Sequence, residues 1–294
     1  MSSTGTGDMK PTLSYEEGWP ILQEQAINRL ILLVEGDTSN QFSSEDYMRC
    51  YTTVYNMCDN NPAGPEAHKL YLQYKKTMED YVSSKAREIF ESFTYWLLVV
   101  PSIRGKKDDI LLHGLVKRWN NHKVMTRWLI RFFHYLDRYL VPRRKLPSLQ
   151  ETSCFAFYQL AYGEMNDGVT DAVISLIDRE RQGEKIDQAL VKNVLDIYVE
   201  MGGDSMKYYA KDFEESMLKD TAVFYSKKAS DWMASKSYED YMLKVEECLK
   251  EEEGRVQSYL RYSKQKLLEV VEYELLTVHA SKIEEKKQIN LAAA

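Results

Sequence analysis

The stretch WNNHKVMTRWLIRFFHYLDRYLVPRR, residues 119–144, packs six aromatic rings, five arginines and two histidines into twenty-six positions, and its helix is expected to stop at the proline, Pro142. On a helical wheel, Met125, Leu129, Phe132, Phe133, Leu136, Tyr139 and Leu140 fall within about 120° of arc, the width of a core-facing stripe. Val124, Trp128 and Tyr135 lie to one side, interleaved with Arg131 and Arg138, while Lys123, Arg127, His134 and Asp137 complete a wet side. A core helix needs one apolar stripe, and this one carries a second. Tryptophan and tyrosine beside arginine is the composition of protein–protein hot spots. Either a neighbouring helix of the same chain covers that second stripe or a partner does. Stacking on nucleic-acid bases draws on the same residues, but the chain is acidic and no other helix continues a basic track.

Working outward, the 294-residue chain is 44% hydrophobic and 29% charged, which excludes a disordered polymer and allows a sizeable core. Its thirteen glycines and seven prolines cluster around 61–65, 101–105, 142–147 and 202–203 and leave long unbroken tracts between. Tracts of that kind predict helices, with no β-sheet. A net charge of −6 argues against nucleic acid as a partner. Cys50, Cys58, Cys154 and Cys248 show no metal-site spacing and read as reduced thiols of a cytosolic or nuclear protein. The opening MSSTGTGDMKPT lacks the features of a signal peptide, and the greasiest run, FTYWLLVVP at 93–101, is half the length of a membrane span. A soluble protein without membrane contact is expected.

Residues 1–15 read as a disordered lead. Helices are then predicted over 16–35, over about 44–59 with Ser43 or Ser44 as N-cap, and over 66–98. Two more are expected at 108–118 and 121–140, followed by 149–164, 166–182, 187–201, 205–235, 237–262 and 264–282. Val169, Val173, Leu176 and Ile177 share one face, Gly183 breaks the helix, and Ile186, Leu190, Val194, Leu195 and Ile197 resume the pattern. Short connections between amphipathic segments predict antiparallel helices stacked side by side.

No catalytic constellation emerges. The five histidines form no HExxH or i,i+4 pair, and GxxxxGK, GxGxxG and GxSxG are absent. The run EECLKEEEGR at 246–255 has no hydroxyl or imidazole beside it in sequence and reads as a solvated face. No catalytic residue, metal site or cofactor is expected. The segment EDYMRCYTTVYNMC, 45–58, repeats the excess of the opening helix, because its Tyr, Met, Val and Cys residues spread over about 180° of arc. A helix buried on one side needs little more than 100°. Two over-wide apolar faces near one end of the chain point to a shared ridge for a partner, and neither has the heptad of a homomeric coiled coil.

Several long stretches resemble the N-terminal part of a cullin of the plant type that scaffolds SCF ubiquitin ligases. They are YTTVYNMC (51–58), RWNNHKVMTRWLIRFFHYLDRYLVPRR (118–144), AVISLIDRERQGEKIDQALVKNVLDIYVEMG (172–202), DFEESMLKDTAVFYSKKASDWM (212–233) and YMLKVEECLKEEEGRVQSYL (241–260), and the resemblance runs from about 16 to 283. It implies an all-α, elongated stack of five-helix cullin repeats, a helical solenoid stalk, with a first repeat over 16–146 and most of a second over 147–283. It further implies a non-catalytic scaffold whose tip binds a Skp-type adaptor carrying an F-box protein. The contact residues carried over are Tyr47, Met48, Tyr51, Thr52, Tyr55 and Asn56 from the helix at 43–59. Those from the helix at 121–140 are Asn121, His122, Val124, Met125 and Trp128. A chain that is monomeric when unbound, in the nucleus and cytoplasm, is the expected state.

Two departures from the family pattern stand out. KAREIFESFTYWLL, 85–98, interrupts a stretch that the family runs through directly, and either lengthens a helix or loops out with Phe90, Phe93, Tyr95 and Trp96 poorly buried. The chain also stops after an atypical tail, 284–294, where the family continues into a domain that recruits the RING protein. RING binding is therefore not expected, and the chain acts either as a part of the scaffold or as a competitor of its full-length form. A helical-repeat tether with no ubiquitin role is the alternative; it has no reason to keep YTTVYNMC and NNHKVMTRW as a pair.

Overall fold

Amphipathic stripes at helical spacing can be buried only by setting helix against helix. The structure, a computed structural model, describes residues 13–59, 61–99, 107–163, 165–203 and 205–293, and among these the regular elements are all helical. Two compact units result: residues up to Trp96 with Lys117–Glu164, and Leu97–Val116 with Met165–Ala294.

In the first unit, Ser14 caps α1 (Tyr15–Leu22) through a reciprocal box with Glu17. The chain continues through a π-type segment, Gln23–Asn28, into α2 (Arg29–Val34). Of the lead expected over 1–15, residues 1–12 lie outside the described residues; the remainder is structured, with the Leu13 N–H donating to the Asn56 carbonyl at 3.3 Å. After a turn at Gly36, whose φ of 113° suits glycine, α3 (Ser44–Cys58) begins. Gly18 lets α1 and α3 approach closely, since a Cβ there would sit 2.3 Å from the Met57 sulfur. The helix α4 (Pro65–Val99) runs through the unusual 85–98 segment without looping out. The side chains of Phe90, Phe93, Tyr95 and Trp96 lie outside the described residues. At the start of that segment Lys85 and Glu88 join a charged cluster in which Arg118 spans Glu35 at 2.9 Å and Glu88 at 3.0 Å.

The opening stretch corrects two expectations. The helices predicted at 108–118 and 121–140 are one, α5 (Lys107–Phe132). Past a turn at Phe133 the chain forms a π-type segment, Leu136–Leu140, and then α6 (Val141–Arg144), which contains Pro142. The proline does not stop the helix, because Val141 already reaches back five residues to the Leu136 carbonyl and Pro142 falls in the first turn of α6, where its missing N–H costs little. Lys145, at φ 52°, ends the run instead. The next helix, α7 (Leu149–Phe157), belongs to this unit. Tyr74 donates to the Leu149 carbonyl at 2.9 Å and Asp137 accepts the Leu149 N–H at 2.8 Å.

The second unit holds α8 (Asn166–Arg181), α9 (Gln188–Met201), α10 (Lys207–Tyr209), α11 (Glu215–Ser235), α12 (Tyr238–Ser258), α13 (Lys264–Glu272) and α14 (Ala280–Ala293). Val169, Val173, Leu176 and Ile177 are buried together as the pattern predicted, and Gly183 at φ 93° follows the end of α8. The acidic run 246–255 is not wholly a solvated face. Glu252 follows Val245 and Cys248 at helical spacing and is fully buried, where it accepts from Arg181 Nε at 2.9 Å, Arg255 Nη1 at 3.1 Å and the Tyr225 hydroxyl at 2.7 Å.

Removing one member of such a cluster strands the others without water. Glu252→Ala is expected to lose about 3 kcal/mol or more of stability in urea unfolding, since it takes the shared buried carboxylate from two buried guanidinium groups, Arg181 and Arg255. Glu215→Ala, which breaks an exposed pair with Lys219, is expected to change it by less than about 1 kcal/mol.

Candidate functional site

The surface expected to carry function is built from the start of α3 outward. Ser43 accepts the Asp46 N–H at 3.1 Å while the Asp46 carboxylate accepts the Ser43 N–H at 3.0 Å, a closed capping box. Arg29 of α2 grips the same carboxylate at 3.2 Å, donates to the Gln41 carbonyl at 2.6 Å, and lies 4.8 Å over the Phe42 ring. One guanidinium thereby ties α2, the connecting loop and the first turn of α3. Arg29 and the Ser43 cap together hold the Asp46 carboxyl well below the usual carboxylate range.

Phe42, ordered by that clamp, packs on both Trp128 (centroids 4.9 Å apart) and Phe132 (5.1 Å), which themselves lie 5.7 Å apart. Tyr47 reaches the same Phe132 at 6.4 Å and its neighbour Tyr51 at 6.2 Å. The Arg131 guanidinium sits 4.9 Å over Tyr47 and 4.6 Å over Trp128, joining α3 to α5 across the rings. Further along, Tyr55 meets Tyr135 edge-on at 5.4 Å, and Tyr135 packs on Tyr139 at 4.5 Å. The result is a ridge of interlocked aromatic rings. Beneath it Cys50 and Cys58 are buried, and burial pushes their thiols up to about 11 and about 12, so they stay protonated.

The residues carried over from the cullin resemblance do not all belong to this surface. Tyr47, Tyr51, Tyr55 and Trp128 are half-buried, Met48 is 52% exposed, and Thr52 is exposed, so these form one continuous face. Val124 is half-buried one turn before Trp128. Asn121 lies a further turn away beside the Tyr81 hydroxyl, with an amide nitrogen that finds no hydrogen-bond partner among the described residues. Asn56 is half-buried at the far end of α3, where its carbonyl holds Leu13. His122 and Met125 are corrections. Met125 has no exposure because it is part of the core stripe. His122, at 2%, faces inward to Ser153 (Nε2 to Oγ 3.1 Å) and Trp119, and burial lowers its pKa to about 3. Neither offers surface to a partner.

Tyr135, placed beside the core stripe by the wheel, is buried, and Tyr139, placed in it, is half-buried; the turn at Phe133 and the wider π-type segment rotate this end of the run. Sequence reasoning missed Phe42 and Arg29. The signal for Phe42 was available, since an aromatic just before an N-cap serine is the first half of a hydrophobic staple, with Tyr47 at the matching position. Among the described residues no group of three or more His, Cys, Asp or Glu side chains is placed to hold a metal ion, and no helix is long and apolar enough to cross a membrane.

Residues 19–293 match the alpha solenoid domain of cullins. The chain belongs to the cullin family. It is 51% identical over 279 residues to Cullin-1 of Oryza sativa subsp. japonica, covering 95% of this chain and 36% of that protein. It is 45% identical over 269 residues to Putative cullin-like protein 2 of Arabidopsis thaliana, covering 90% of this chain and 68% of that one. Cullin-like protein 3 of Arabidopsis thaliana is 36% identical over 264 residues, and there the alignment covers 90% of this chain and 96% of the relative. This cullin chain thus spans little more than a third of the rice protein's length and nearly the whole of the third relative's.

The capping box gives a test by pH. A carboxylate whose folded pKa is depressed contributes stability above its ordinary value of 3.8, and that contribution is lost as pH falls below it toward the folded value. Asp46→Asn is therefore expected to lower the urea midpoint at neutral pH. The gap to the wild type should close in a series taken below the ordinary value; a gap that stays constant with pH would show that the Asp46 charge contributes nothing.

Proposed function

We propose that this chain is a non-catalytic scaffold segment that binds a Skp-type adaptor with its F-box protein through the α3–α5 ridge. The observation that carries the reading is the juxtaposition of Tyr47, Met48, Tyr51 and Thr52 with Trp128 and Arg131 on one accessible face. These residues come from the two helical segments that the cullin resemblance assigns to the adaptor. The rings are already packed on one another, so little side-chain freedom is left to lose on docking. Rigid aromatic groups flanked by arginine make effective anchors.

In this reading RING recruitment falls outside the matched residues. The ligase role, like a place in the nucleus and cytoplasm, rests on the family and not on the geometry.

Calorimetric titration of the chain with a purified adaptor–F-box complex tests this. Trp128→Ala and Tyr51→Ala are each expected to weaken binding by about 2 kcal/mol, roughly thirtyfold in Kd, with helicity by circular dichroism unchanged. Leu72→Ala, an exposed apolar position on α4, is the control and is expected to bind as the wild type does. Failure of the folded wild-type chain to bind would overturn the proposal.

A further inference from the structure

Charge on this molecule is distributed unevenly. Residues 117–148 contain nine lysines and arginines against one acid, Asp137, in a chain whose net charge is −6. Arg127, Arg131, His134 and Arg138 recur at spacings of four, three and four, and all four are exposed. Exposed Arg143 and Arg144 and Lys145 follow them. Six other arginines, Arg29, Arg118, Arg179, Arg181, Arg255 and Arg261, each have a carboxylate oxygen within 3.2 Å, while Arg49 reaches the Gln25 amide oxygen instead. Among the described residues Arg127, Arg131, His134 and Arg138 have none. Asp137 is near His134 but is half-buried and turned to the Leu149 N–H. A row of like charges without counter-charges raises the local potential, and an oppositely charged surface relieves it.

The row is continuous with the ridge, since Arg131 belongs to both. We propose that this basic face steers an acidic protein surface onto the ridge, which makes the partner one whose apolar docking patch adjoins a cluster of Asp and Glu. This rests on the ridge being the adaptor-binding surface. Nucleic acid is the weaker occupant, because bases stack on open ring faces and the Trp128 ring is already flanked by Phe42 and Arg131. Electrostatic complementarity of this kind acts mainly on the rate of encounter, whereas the packed rings govern escape.

Association and dissociation rates of the full chain with the adaptor–F-box complex, measured from about 50 mM to about 500 mM salt, separate the two effects. The wild-type kon should fall steeply with salt. Arg127→Glu/Arg138→Glu should lower kon about tenfold at the low-salt end, converge with the wild type at the high-salt end, and leave koff within about twofold. Both side chains are exposed and form no ion pair among the described residues, Arg138 only lying 5.4 Å over the Tyr139 ring, so circular dichroism should be unchanged. Trp128→Ala should instead raise koff. A wild-type kon independent of salt, or an unaltered kon in the double variant while Trp128→Ala still weakens the complex, would overturn the steering role and leave the adaptor-binding reading intact. No complex at any salt concentration would overturn both. Tight binding of a labelled single-stranded oligonucleotide at about 150 mM salt, lost in the double variant, would overturn the assignment to an acidic protein.

Discussion

Met125, Leu129, Phe132, Phe133, Leu136 and Leu140 have no exposed surface, and burying a side chain of that size stabilises by about 1.5–3 kcal/mol. That stripe sets the rotation of α5 and its continuation about their axis. With the rotation fixed, Trp128 and Arg131 can emerge only beside α3, and Arg127, His134 and Arg138 only into water. The functional face is thus a geometric consequence of the core face.

What the stripe does not fix is the position of α3, and here polar groups decide. Gly18 permits the close approach of α1, while Arg29 binds Asp46, Gln41 and Phe42 in one grip. Phe42 then packs against both Trp128 and Phe132, closing a cluster of three rings, and Arg131 spans from Trp128 to Tyr47. Each contact is modest by itself, about 0.5–1.5 kcal/mol for an aromatic pair beyond its area burial. Together they hold the rings in place before any partner arrives, which is the condition for a surface that binds without reorganising.

Much of this was legible in the sequence, because helical periodicity and turn residues act locally. The Ser43 cap, the end of α8 before Gly183, the length of α4 and the over-wide faces of α3 and α5 all follow from patterns within a few residues. The misreadings share a cause, since they depend on neighbours remote in sequence or on departures from ideal helical pitch. Glu252 looks solvated until Arg181, 71 residues away, is placed against it. His122 looks like a surface polar group until Ser153, 31 residues on, receives it. Pro142 looks like a terminator until the wider turn before it is seen. The cullin resemblance pointed to two helical segments, and the packing then separated residues that face outward from two, His122 and Met125, that do not.

The central claim is that one accessible ridge, with Met48 and Trp128 on it, is what a partner covers. Hydroxyl-radical footprinting of the full chain, with and without a saturating adaptor–F-box complex, reads those side chains directly. The account predicts that oxidation of Met48 and Trp128 falls on binding while Met206 and Met242, half-buried in the second unit, oxidise as before. Unchanged oxidation of Met48 and Trp128 in a complex shown to be formed would contradict it.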